Sequence, residues 1–196
     1  MEKEITYSFI FTSMTSANIN DLVKNEIIEK TIDLTTDYFE LGLDAFLDEN
    51  LLKEIPLVKS LVTFYNIASS VKDRHNVKKI LTFFQEFHKQ TIDPEKYKEF
   101  LHKFISHQSY NKKVVETIIL LNERFLEIEK SKVLANLTRA HIEGNLSWAE
   151  FENIYVVLDS IHTVGFLFLK KMAELGWHSH QLRDEKNEPL MLACGI

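Results

Sequence analysis

The sequence predicts a mainly α-helical domain, and three observations carry that reading. Apolar residues recur at helical spacing through most of the chain. Only 5 glycines and 3 prolines are present, too few for a turn-rich β architecture. Helix start and stop signals punctuate the apolar runs at intervals of ten to thirty residues. A chain of 196 residues suits one domain that buries its own core.

The stretch from Ile55 to Val71 is the most hydrophobic and is expected to be the central helix. Pro56 suits a first helical turn. Leu57, Val58, Leu61, Val62, Phe64, Tyr65, Ile67, Ala68 and Val71 lie nearly all round, the pattern of a helix buried on every side or facing lipid. At 17 residues, with Pro56 and Lys59 included, it falls short of the roughly 20 apolar residues of a membrane span.

Taken in order, residues 5–11 alternate apolar and polar, which predicts a strand. Capping residues from Asn18 to Asp21 open a long helix that runs to about 50, with a bend near 33–36. After the 55–71 helix, Asp73 to Asn76 reads as a turn and cap. A helix over about 76–90 follows, with Val77, Ile80, Leu81, Phe84 and Phe87 on one stripe. Asp93, Pro94 and Glu95 are a cap, a first-turn proline and a first-turn acid, and predict a helix to about 106.

The longest helix is expected over 111–142, closed by Gly144 as a left-handed cap. Ser147 to Glu150 is a capping box that opens the next helix. His162-Thr163 breaks it, and Val164 to Leu175 forms the last helix. A β-hairpin is predicted over 177–194, pairing with 5–11 in a small antiparallel element. The segment 145–196 then has the order of a winged helix.

Charge is uneven. Residues 1–54 hold 4 basic and 12 acidic groups, residues 55–133 hold 14 and 9, and residues 134–196 hold 5 and 8. The net charge of −6 argues against a uniformly basic nucleic-acid binder. The single Cys194 excludes an internal disulfide framework, and Met1-Glu2-Lys3-Glu4 lacks the positive start of a secretory signal. A cytoplasmic protein is expected, with peripheral membrane contact as a variant.

Sites of chemistry are weakly encoded. Gly144, Leu146 and Glu150 match the second half of a calcium loop, but Arg139 stands at its first ligand position. His178, His180 and Cys194 are metal-type ligands without an evident fourth. The other histidines, His75 and His88 among them, read as surface or capping groups. No nucleophile motif or glycine-rich phosphate loop occurs. The sequence therefore points to no catalytic residue, cofactor or metal.

What stands out is basic: Lys72, Arg74, His75, Lys78 and Lys79, with Lys112 and Lys113, beside the most apolar helix. Such a patch suits an acidic protein partner or an anionic membrane surface. The expected function is a non-enzymatic interaction or regulatory protein that binds another protein or itself. The alternatives are a membrane-acting effector using 55–71 and a winged-helix DNA binder, the latter disfavoured because Val164 to Leu175 offers only Lys170 and Lys171 as cations.

Several stretches resemble a family of uncharacterised helical proteins of bacteria and mobile elements. They are Ile55-Pro56-Leu57-Val58, Asp73-Arg74-His75 with Lys78-Lys79, Glu129-Lys130-Ser131-Lys132, and Ile142 to Trp148 with Phe151. The resemblance covers residues 50–160 and implies no functional residue. It implies a bacterial or phage-related setting, with defence or counter-defence as the role.

Overall fold

The computed structural model describes residues 18–29, 56–65 and 70–175. Among them are eight helices and no strand: α1 (Ile19–Ile28), α2 (Pro56–Tyr65), α3 (Val71–Lys89), α4 (Pro94–Ser106), α5 (Gln108–Arg124), α6 (Ile128–Ile142), α7 (Trp148–Ser160) and α8 (Val164–Leu175). The multi-helix bundle is as expected. The strand at 5–11 and the hairpin at 177–194 lie outside the described residues.

The central helix is α3. It buries Asn76, Val77, Lys79, Ile80, Leu81, Thr82, Phe83, Phe84 and Phe87, so five successive residues from Ile80 to Phe84 are shielded from water. It packs against α2, α5 and α6, and its contact with α6 is the most extensive in the fold. Phe83 meets Phe84 edge to face at 5.1 Å and stacks on Phe87 at 5.9 Å, geometries that aromatic pairs favour.

Of the apolar segment expected at the centre, the described part is α2, which packs on α3 and α1 and is not the central helix. Helix α2 buries Leu57, Val58, Leu61 and Tyr65, while Lys59, Thr63 and Phe64 face water. Phe64 is 47% exposed. The segment is not one helix through Val71 either. Ser70 caps α3, its Oγ accepting from the Asp73 amide at 3.4 Å. Val71 is then the first residue of α3 and is 77% exposed. Asp73 to Asn76 is accordingly a stretch of helix, not a turn. Local composition overrated α2 because its Ser and Thr residues do not interrupt an apolar run, whereas charges at the start of α3 disguised a helix buried further along.

Three side-chain bonds fix the direction of the α3–α6 pair. His75 meets the Leu126 carbonyl, Asn136 meets Glu86, and Arg139 meets Gln90. Both series rise together, so α3 and α6 run parallel. Helices α4 and α5 make the return between them, and α5 runs antiparallel to both. Its end near Glu123 meets Lys79, and its beginning at Tyr110 meets His141 near the end of α6.

Caps written in the sequence are formed. Asp93 Oδ1 accepts from the amides of Glu95 and Lys96, both at 3.0 Å. The box at Ser147 is complete: Glu150 N–H donates to Ser147 Oγ at 3.2 Å, and Ser147 N–H donates to Glu150 Oε2 at 2.7 Å. Gly144 takes φ of 78°, which a β-carbon disfavours. Helix α1 stops earlier than expected, at Ile28, with Glu29 extended. The Tyr97 hydroxyl donates to the Ile27 carbonyl there, serving one of the acceptors that a helix end leaves over.

The expected helix over 111–142 is divided in two. Phe125 is extended, with φ −60° and ψ 134°, and α6 begins at Ile128. No glycine or proline marks the break.

If α3 is the central helix, Phe84→Ala should cost about 3–5 kcal/mol, and Phe64→Ala less than about 1 kcal/mol. Urea denaturation of the two variants measures this, and equal losses would return α2 to the centre.

Candidate interaction surface

The basic residues singled out in the sequence do not form one patch. Lys72 and Arg74 are exposed on the first turn of α3, while His75 and Lys78 are half-buried. Lys79 is 1% exposed and belongs to the core. Lys112 and Lys113 lie at the other end of α5. Ten residues separate Lys113 from Glu123, where Lys79 binds, about 15 Å along the helix. Lys112 pairs with Glu116 at 3.7 Å. Lys113 pairs with Glu152 of α7 at 2.6 Å and sits over the Trp148 ring. The patch thus divides into a cationic first turn of α3 and a pair of lysines tied to neighbouring acids.

Lys79 serves the break between α5 and α6. Its Nζ donates to the Phe125 carbonyl at 2.6 Å and to the Glu123 carbonyl at 3.2 Å. His75 adds a third contact, Nε2 donating to the Leu126 carbonyl at 2.7 Å. Tyr65 of α2 donates its hydroxyl to Glu123 Oε1 at 2.8 Å. Carbonyls left over at a helix end are therefore taken up by side chains from α2 and α3. Burial lowers the Lys79 amine to about 8, against the opposing pull of the Glu123 carboxylate. Burial also raises the Tyr65 hydroxyl, and its bond to Glu123 adds to the rise.

A second polar contact is buried between α1 and α3. His88 Nε2 lies 2.9 Å from Glu26 Oε1, and both side chains are shielded. His88 is therefore not the surface group expected. The signal was present in both cases. Glu26 falls on the apolar stripe of Ile19, Val23 and Ile27, and Lys79 lies one turn before Phe83. A charge on an apolar stripe asks for a partner.

A third contact joins α5 to the corner between α6 and α7. The Tyr110 hydroxyl donates to His141 Nε2 at 2.6 Å, and His141 Nδ1 donates to the Leu146 carbonyl at 2.8 Å. Trp148 and Phe151 close round the ring. Burial raises the Tyr110 hydroxyl to about 12. Burial likewise lowers His141, with the Leu146 bond opposing and the nearby Lys103 ammonium adding to the depression.

None of these nodes has the form of a metal centre. Among the described residues no group of three His, Cys, Asp or Glu side chains could hold an ion. Arg139, at the would-be first calcium ligand, is buried and donates to Gln90 and Asn136. His178, His180 and Cys194 lie outside the described residues.

The exposed surface offers something else. Helix α7 turns Ala149, Asn153, Ile154, Val156, Val157 and Ser160 outward, with Glu150 the one charged group among them. Val156 is 59% exposed. Helix α8 exposes Leu167, which is 67% exposed, with Leu169 and Leu175. The exposed apolar side chains of α7 share one side of that helix, and such a group marks a contact surface more often than a single residue does.

Comparison with protein-family models, curated proteins and solved structures finds no match for the chain.

Lys79 gives a pH-dependent prediction. Its folded value lies below the usual 10.5 of the free side chain, so between about pH 8 and 10.5 the folded chain holds fewer protons than the unfolded one. Stability from this group therefore rises with pH across that window and is flat below it. The stability of the native chain relative to Lys79→Met should grow on the order of 2 kcal/mol between pH 7.5 and 10.5. Denaturant midpoints at the two pH values measure it. An unchanged difference would mean that the amine is not desolvated.

Proposed function

We propose that the protein acts without catalysis, by binding another protein through the outer face of α7, and that a second copy of this chain is the partner it fits. The observation that carries this reading is the nearly uncharged outer face of α7 in a chain that is 27% charged.

The charges beside that face favour a two-fold pairing. Helix α7 carries Glu150, Glu152 and Asp159 and no base, whereas α8 carries Lys170 and Lys171 with Glu174. In an isologous contact the lysines of each copy approach the Glu150 end of the other, Glu152 and Asp159 being paired with Lys113 and Arg124 of their own chain. The apolar residues then form the shielded centre and the charges the rim.

Defence or counter-defence is the role we propose for this binding, in keeping with the resemblance to bacterial and mobile-element proteins. The membrane-acting alternative is weaker. Among the described residues no helix is long and apolar enough to cross a membrane. Helix α2 has ten residues and spans about 15 Å, half the hydrocarbon thickness. What is left to that reading is surface contact through Lys72 and Arg74 beside the exposed Leu126. For nucleic acid, α8 offers two lysines, one of them within 4.0 Å of Glu174.

Sedimentation of the full chain across the micromolar range should show reversible self-association that Val157→Lys abolishes while leaving the helical content intact. A native chain that stays monomeric at about 100 μM, weaker than the micromolar contacts of specific pairs, would remove the proposal.

A further inference from the structure

One end of the bundle gathers the last residues of α2 and α5 and the first residues of α3 and α6. The Tyr65 hydroxyl reaches Glu123 there at 2.8 Å, and His75 Nε2 reaches the Leu126 carbonyl at 2.7 Å. The two most exposed large apolar side chains of the described residues stand at this end. Leu126, in the link between α5 and α6, is 80% exposed, and Val71 opens α3. Val71 lies one turn before His75 on the same side of α3, so it neighbours the link. Phe64, beside Tyr65, adds an exposed ring.

Cations flank these side chains. Lys72 and Arg74 are exposed, and neither is in an ion pair among the described residues. The acids of this end are engaged. Glu123 accepts from Tyr65, Glu127 pairs with Lys130, and Asp159 pairs with Arg124. Asp73 is half-buried, and Glu129 shares an exposed face of α6 with Lys132. A chain of net charge −6 therefore carries a cationic, apolar tip.

We propose that this tip is a contact site for an anionic lipid surface, with Val71 and Leu126 among the headgroups and Lys72 and Arg74 on their anionic groups. Buried apolar area and attraction to anionic lipids together hold such interfacial contacts. Apolar side chains that protrude from helix ends suit a soft, fluid layer, whereas a folded partner would need a hollow for each. No helix has to enter the hydrocarbon, and none of those described is long and apolar enough to cross it. With two cations and so few apolar groups the contact is shallow and reversible, with a partition constant on the order of 10⁴ M⁻¹, the scale of a single acyl anchor. It does not rest on self-association.

The test is co-sedimentation of dilute full chain with phosphatidylcholine vesicles, with and without about one-third phosphatidylserine, at lipid up to the millimolar range. The chain should bind the anionic vesicles. Binding should fall about tenfold on neutral vesicles, and again when salt is raised from about 0.05 to about 0.5 M. Lys72→Gln combined with Arg74→Gln should weaken it about thirtyfold, and Leu126→Gln about fivefold. These positions are exposed, so the variants should keep the native denaturation midpoint. No sedimentation with anionic vesicles at low salt overturns the proposal, and a tip that serves an acidic protein instead would give that result. Equal binding to neutral vesicles overturns it too, as does binding that survives either variant. Because the chain is dilute in these measurements, a failed lipid contact leaves self-association standing, and the reverse also holds.

Discussion

The architecture depends on a buried amine. Lys79 projects from α3 into the break between α5 and α6 and donates to the carbonyls of Glu123 and Phe125. Without such donors the end of α5 would leave shielded acceptors unsatisfied, a state that folded chains avoid. With them, the chain can leave α5 at Phe125 and re-enter a helix at Ile128 on a new course. The desolvated ammonium is costly in itself, yet it bonds two acceptors and lies near the Glu123 carboxylate. Its effect is directional: it determines where one long helical stretch becomes two.

From that point the topology follows. Once α6 is separated from α5, it lies alongside α3 in parallel, with α4 and α5 making the return. Small buried residues of α6, Ser131 and Ala135, leave room for close neighbours. The phenylalanines of α3 supply the bulk of the core. Helices α7 and α8 come last among the described residues; α7 packs Phe151 and Leu158 into the core beside α6, and polar contacts add to that. Lys130 donates to the Asp159 carbonyl, Arg124 meets the Asp159 carboxylate, and Tyr110 holds His141 at the corner.

Features governed by a few adjacent residues were legible in the sequence. The caps at Asn18, Asp93 and Ser147, the left-handed Gly144 and the break after Ile161 are such features, each complete within a short stretch. The break at Phe125 was not, because its donors come from Lys79 and His75, more than forty residues away. The central helix was misplaced for a related reason. Apolar density marks what prefers to be buried, whereas position in the bundle depends on which helices flank it. Lys79 looked like a surface cation by residue type, although its neighbours Asn76 and Phe83 already placed it inside. The remaining basic residues were near in sequence or composition but not in space. Lys113, for one, is bound to Glu152 at the far end of α5.

The functional reading turns on what this scaffold leaves outside: a nearly uncharged face on α7. That arrangement presumes a rigid centre at α3 and α6 from which α7 and α8 extend. Native-state hydrogen exchange measures the order of stability directly. The slowest amides should be those of α3 from Val77 to Phe87 and of α6, with α2 exchanging sooner. Amides of α2 that outlast those of α3 would contradict the account, because the centre of the fold would then lie in the apolar segment after Pro56.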